Sequence, residues 1–127
     1  MHEKHLYEYA VIRVVPRVER EEFINIGLLL FCKQKKYLRM AHQIPVAKIR
    51  QLCPEFDIDQ LETNLTSFTK ISAGEPNSGP IAAFETAERF RWLTAVRSSS
   101  IQTSRPHPGF SNDLDETFEK LYTELVL

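Results

Sequence analysis

The chain has 127 residues, 43% hydrophobic, 10% aromatic and 26% charged, and its 16 Lys and Arg nearly balance its 17 Asp and Glu. That size and apolar content suit one compact domain with a core of its own and exclude collagen-like, low-complexity and disordered chains. A formal charge of −1 argues against a surface that coats nucleic acid or an anionic membrane throughout.

Leu6 to Val15 is dense in β-branched and aromatic residues and is stopped by Pro16, which predicts a long central strand, apolar on most of both faces. A charged link, Arg17 to Glu22, leads to the apolar run Ile26 to Cys32, the polar Lys33-Gln-Lys-Lys36 and a second run, Tyr37 to Ala41. Two apolar runs about a short polar turn predict a β-hairpin. Asn25 and Gly27 read as a structural turn in which glycine permits close backbone approach.

Pro45 can open a short helix carrying Val46, Ile49 and Leu52, which Pro54 ends. Asp57 and Gln60 resemble a capping box, with Ile58, Leu61, Leu65 and Phe68 as one apolar stripe of a helix closing near Gly74. Gly74 to Pro80 is a loop by composition, and from Ile81 the chain reads as helical through Phe84, Ala87 and Phe90. Ile101 to Ser104 predicts a last strand, stopped by Arg105-Pro-His-Pro-Gly109. Asp113 and Glu116 make a second capping box, before a helix that turns Leu114, Phe118, Leu121, Tyr122 and Leu125 to the core. The sum is a single α+β domain over residues 1–127, a small, mostly antiparallel sheet of about four strands with three to four helices packed on it.

No apolar run approaches the ~18–20 residues needed to cross a bilayer. The first residues lack a signal-peptide pattern, so a cytoplasmic location is expected. Cys32 and Cys53 lie far apart without a Cys-x-x-Cys pair or a His cluster. No disulfide, metal site or cofactor is therefore expected, and both read as small buried apolar residues. Phosphate-loop, dinucleotide, zinc-protease and nucleophile-elbow motifs are absent from the sequence, and the carboxylates of Asp57/Asp59 and Asp113/Asp115/Glu116 fall at helix starts, where the dipole explains them. An enzyme of a familiar class is disfavoured.

The stretch Arg89 to Gly109 gathers four arginines, six Ser/Thr hydroxyls, Gln102, His107 and the chain's one Trp. Arg91, Arg97, Ser98, Ser99, Gln102 and His107 are candidate anion-binding residues, because guanidinium groups bind planar anions bidentately and hydroxyl donors complete the shell. The opposing reading makes the hydroxyls part of an exposed loop and pairs the arginines with Glu85, Glu88 or the acidic start of the last helix. His107, between Pro106 and Pro108, is expected on a stiff turn, as an acid–base group or anion donor, or as a turn residue bonding a nearby carbonyl. Trp92 and Phe110 are candidate partner anchors, since large aromatics dominate binding hot spots, with core packing as the alternative. Lys33, Lys35 and Lys36 cluster at the hairpin with Tyr37 as the one adjacent aromatic, which favours a solvated strand edge over a nucleic-acid site.

Tyr9-Ala-Val-Ile-Arg-Val-Val-Pro16, Arg20-Glu-Glu-Phe-Ile-Asn-Ile-Gly-Leu-Leu-Leu-Phe31 and the segment Arg89 to Ser104 with His107 and Gly109 resemble the bacterial family catalogued as domain of unknown function 3037. The similarity runs from about Tyr7 to the final helix, and its most specific part is the arginine- and serine-rich segment with His107-x-Gly109. Members often carry Pro where this chain has Val96, and another residue type at Arg105, which sets Arg105 apart from a shared site. The family has no established biochemistry. Its genes often lie beside those of HipA-like kinases, which resemble the toxins of toxin–antitoxin pairs, so the resemblance implies a protein partner and a regulatory or defence role. Two readings stand: a binding or regulatory subunit acting with a HipA-like kinase, or a phosphate- or nucleotide-handling enzyme or sensor of a phosphorylated small molecule using residues 89–109. Nucleic-acid binding through the hairpin lysines ranks third.

Overall fold

Strand β1 (His5–Val14) is the spine of the molecule, as its apolar density on both faces predicts. In the computed structural model, which describes residues 3–95 and 99–127, β1 pairs antiparallel with β2 (Ile24–Cys32), and β2 with β3 (Tyr37–His42). The turn between β2 and β3 is closed by the Lys36 N–H, which donates to the Lys33 carbonyl at 3.2 Å. Lys36 takes a left-handed φ of 50° there.

The other edge of β1 carries two strands in succession, β4 (Ile101–Thr103) and β5 (His107–Ser111), so the sheet has five strands. β4 is the predicted last strand; β5 corrects the expectation of a proline-braced turn. Val14 to Ile12 face Ile101 to Thr103, and Tyr9 to His5 face His107 to Ser111, so β4 and β5 are one edge strand broken by a bulge. Ser104 fills the break. Its N–H donates to the Val11 carbonyl at 2.8 Å and its Oγ accepts the Val11 N–H at 2.9 Å. Pro108 is tolerated within a strand because an edge strand has one rim with no neighbour to receive an N–H.

Helices cover both faces. α1 (Val46–Leu52), α2 (Ile58–Ala73) and α3 (Thr86–Leu93) enclose the larger core, which includes Ile12, Leu29, Phe31, Ile49, Leu65 and Phe90. α4 (Leu114–Leu125) lies on the opposite face, where Phe118 packs with Leu28 and Leu30. Asp57 and Asp113 cap as predicted, accepting the N–H groups of Gln60 and Glu116. The reciprocal half is absent from both boxes: the Gln60 amide donates to Asn64, and the Asp113 N–H donates to the Ser111 hydroxyl. Gly74 ends α2 at φ 63°, where glycine has no Cβ penalty.

The helix predicted from Ile81 is divided. Ile81–Ala83 form a 3-10 turn that buries Ala82, Phe84 and Glu85 are extended, and α3 begins at Thr86. The extended pair resets the helical phase so that Phe90 and Leu93 face the sheet while Phe84 stays exposed. Phe90 then stacks on Phe31, with ring centroids 4.8 Å apart. Cys32 and Cys53 are buried free thiols. Among the described residues, no helix is long and apolar enough to cross a membrane.

Candidate functional site

The described residues among those singled out between Arg89 and Phe110 are spread from α3 along the β4–β5 edge. α3 places Arg91 in solvent and leaves Trp92 partly exposed, its ring tilted against Phe68 at 6.1 Å. Trp92, Phe68, Ser99 and Ile101 line a shallow groove of about 240 Å³. The Ser99 hydroxyl donates to the Ile101 carbonyl at 2.8 Å, and the Gln102 amide donates to the Ser99 carbonyl at 3.0 Å. These two candidate donors therefore bond the chain's own turn. Arg97 and Ser98 lie outside the described residues.

His107 is exposed on β5, and its ring lies 5.2 Å from that of Tyr9. The register places it on the α4 side of the sheet, together with Gln102, which is opposite Arg13. Trp92 and Ser99 meet the other face, through Phe68 and Ile101. The structure thus brings Ser99 to Gln102 and to Trp92, and keeps His107 and Arg91 apart from that groove.

Arg89 has a different role. Its Nη1 donates to the carbonyls of Ile71 and Ser72, at 3.2 and 2.9 Å, and its Nη2 donates to the Thr86 hydroxyl at 3.1 Å. It satisfies the last carbonyls of α2 from a neighbouring helix, where a cation also meets the negative end of the dipole.

Phe110 is 69% exposed, and its cross-strand partner Leu6 is 52% exposed. Both point to the face of α2 and α3, at the end of β1 these helices leave open, because Tyr7 and Tyr9 between and beside them point to α4. Sequence reasoning missed Leu6 as a surface residue. The available signal was alternation: with Tyr7 and Tyr9 on one face, Leu6 must take the other.

The α4 side carries a charged network. The Tyr37 hydroxyl donates to Asp115 at 2.6 Å, and Arg39 donates to Asp115 at 3.2 Å and Glu119 at 2.7 Å. Burial first, and then the bond to Asp115, push the Tyr37 phenol up to about 12. Tyr7 and Tyr122 are also raised, each chiefly by burial. A phenol raised on folding holds its proton more tightly in the folded than in the unfolded chain, so its stabilisation is complete below the unfolded value near 10 and declines as pH rises to about 12. Urea midpoints measured across that range are expected to fall, and the fall to be smaller in Tyr37→Phe. An identical slope in the variant would show that Tyr37 does not contribute.

Among the described residues, no group of three or more His, Cys, Asp or Glu is arranged to hold a metal ion. In comparison with known proteins, the family described as "Protein of unknown function (DUF3037)" matches residues 9–126. No curated protein and no solved structure matches the chain. The match spans nearly the whole chain, which therefore belongs to that family.

Proposed function

We propose that this family member is a binding subunit that docks a protein partner along its β4–β5 edge, with Phe110 and Leu6 as the apolar anchor. The exposed Leu6–Phe110 pair carries this reading: two large side chains adjoin across strands, and neither belongs to a core. Pro106 and Pro108 supply no N–H donors, which disfavours simple addition of a partner strand and leaves recognition to side chains. Trp92 borders Ile101 at the other end of the same edge. At ~3.4 Å per residue, the edge from Ile101 to Phe110, which lies opposite Val14 to Leu6 of β1, runs ~27 Å. That span suits one side of a standard interface of ~800 Å² per partner.

The partner suggested by the family resemblance is a HipA-like kinase, which would make the role regulatory within a toxin–antitoxin or defence system. Coexpression with that kinase and measurement of complex affinity test the proposal. Phe110→Glu is expected to weaken binding about 30-fold, the equivalent of ~2 kcal/mol for a hot-spot aromatic, with little change in melting temperature because the side chain is already in water. Trp92→Ala should have a smaller effect on binding. Wild-type affinity in Phe110→Glu would sink the assignment of this edge. The reading of residues 89–109 as a pocket for a phosphorylated small molecule has less support, since Ser99 and Gln102 spend their donors on backbone carbonyls.

A further inference from the structure

A cavity of about 280 Å³ lies between the β2–β3 turn and the start of α3. Three cations line it: Lys33 and Lys36 from the turn, and Arg89 from α3. Among the described residues, none of the three is within ion-pair distance of a carboxylate. Glu85 is the one acidic side chain in the lining, so the cavity carries a formal excess of two positive charges. Three hydrogen bonds to Ile71, Ser72 and Thr86 fix the Arg89 guanidinium in place. A cation held this way presents its charge without first being ordered by a ligand.

Two further features define what would fit. Glu85, the N-cap residue of α3, accepts no hydrogen bond from the first turn, and Thr86 and Ala87 from that turn line the cavity. Uncapped N–H groups at the positive end of a helix add to the attraction for an anion. The apolar part of the lining comes from Phe31 and Ala87. A diffuse basic surface would bind polyanions, but this volume is at the lower end for ligand sites and suits one small molecule.

We propose that this cavity binds a small phosphate monoester, its dianionic head between Lys33, Lys36 and Arg89 and its ester group against Phe31. The site is separate from the anion-binding residues read from the sequence and does not depend on the docking proposal. It unites residues about fifty positions apart, from a hairpin and a helix that the larger core brings together through the Phe31–Phe90 stack.

Calorimetric titration with phenyl phosphate tests it. Saturable binding is expected that weakens as salt is raised, with inorganic phosphate binding more weakly because it leaves Phe31 uncovered. The double variant Lys33→Ala/Lys36→Gly should lose at least about tenfold in affinity and remain folded, since glycine adopts the φ of 50° at position 36 without strain. Arg91→Ala, which removes an exposed cation outside the cavity lining, should bind as the wild type does. No binding up to about 10 mM phenyl phosphate overturns the proposal. So does undiminished binding in the double variant, or loss in Arg91→Ala alone, and equal affinity for inorganic phosphate removes the case for an ester.

Discussion

Phe118→Ala is expected to lower the free energy of unfolding by about 3–5 kcal/mol, the range for truncating a buried aromatic where the surroundings cannot close the cavity. Phe118 is 1% exposed and is the one fully buried side chain within α4. Its ring packs on Leu28 and Leu30, stacks with Tyr122 at 6.1 Å and lies under the Arg39 guanidinium at 4.2 Å. The other polar ties to β3 are the Tyr37 hydrogen bond to Asp115 and the ion pairs of Arg39 with Asp115 and Glu119, whose carboxylates are mostly exposed. Such pairs contribute about 0–1 kcal/mol each. A twelve-residue helix is marginal in water by itself, so α4 depends on this ring for its place on the sheet. Urea unfolding gives the magnitude, and hydrogen exchange should show protection lost first in α4 and next over β2. A loss below about 1 kcal/mol would mean that the surface pairs and Leu121 hold the helix without Phe118.

The parts of the fold written in local chemistry were readable from the chain. Asp57, Gly74 and Asp113 act as predicted because a cap is decided by a residue and its near neighbours, and β1 by its own β-branched density. β5 was not readable in the same way. Pro106 and Pro108 are strand breakers wherever both rims must pair, and nothing local to them reveals that this strand has one free rim. The division at Phe84 was hidden for a related reason. The spacing of Ile81, Phe84, Ala87 and Phe90 is helical, and only packing against Phe31 decides which of them face the sheet.

The candidate site followed the same rule. Residue types alone marked Arg89 to Gly109 as unusual, and its β4–β5 part does run along an exposed edge. They could not show that Arg89 bonds the end of α2, or that β5 turns Phe110 and His107 to opposite faces. The cationic cavity was least legible, because Lys33 and Lys36 read as a solvated turn until the fold sets Arg89 beside them.

Gly27→Val is expected to destabilise by about 3 kcal/mol, at the upper end for overpacking, because the new atoms would meet backbone. A Cβ at this position would lie 2.8 Å from the Ala41 carbonyl oxygen and 3.1 Å from both His42 Cβ and Ile12 Cδ1. Side-chain rotation cannot relieve the first of these contacts. Gly27 also stands where the β1–β2 register shifts: Ile12 faces Gly27 but Arg13 faces Asn25, so Ile26 is the extra residue of a bulge and is fully buried. Bulges re-aim side chains. This one sends Ile26 into the α2 core and leaves Asn25 to donate to the Leu125 carbonyl near the end of α4 at 3.2 Å. Displacing Gly27 would disturb β3, the bulge and the tie to α4 together, whereas Phe118→Ala acts on one face. Gly27→Ala should therefore be destabilising already, and Gly27→Val more so, with hydrogen-exchange protection falling in β3 and at the end of α4 in both. If Ala and Val cost under 1 kcal/mol alike, the close approach of β3 would not be what requires glycine here.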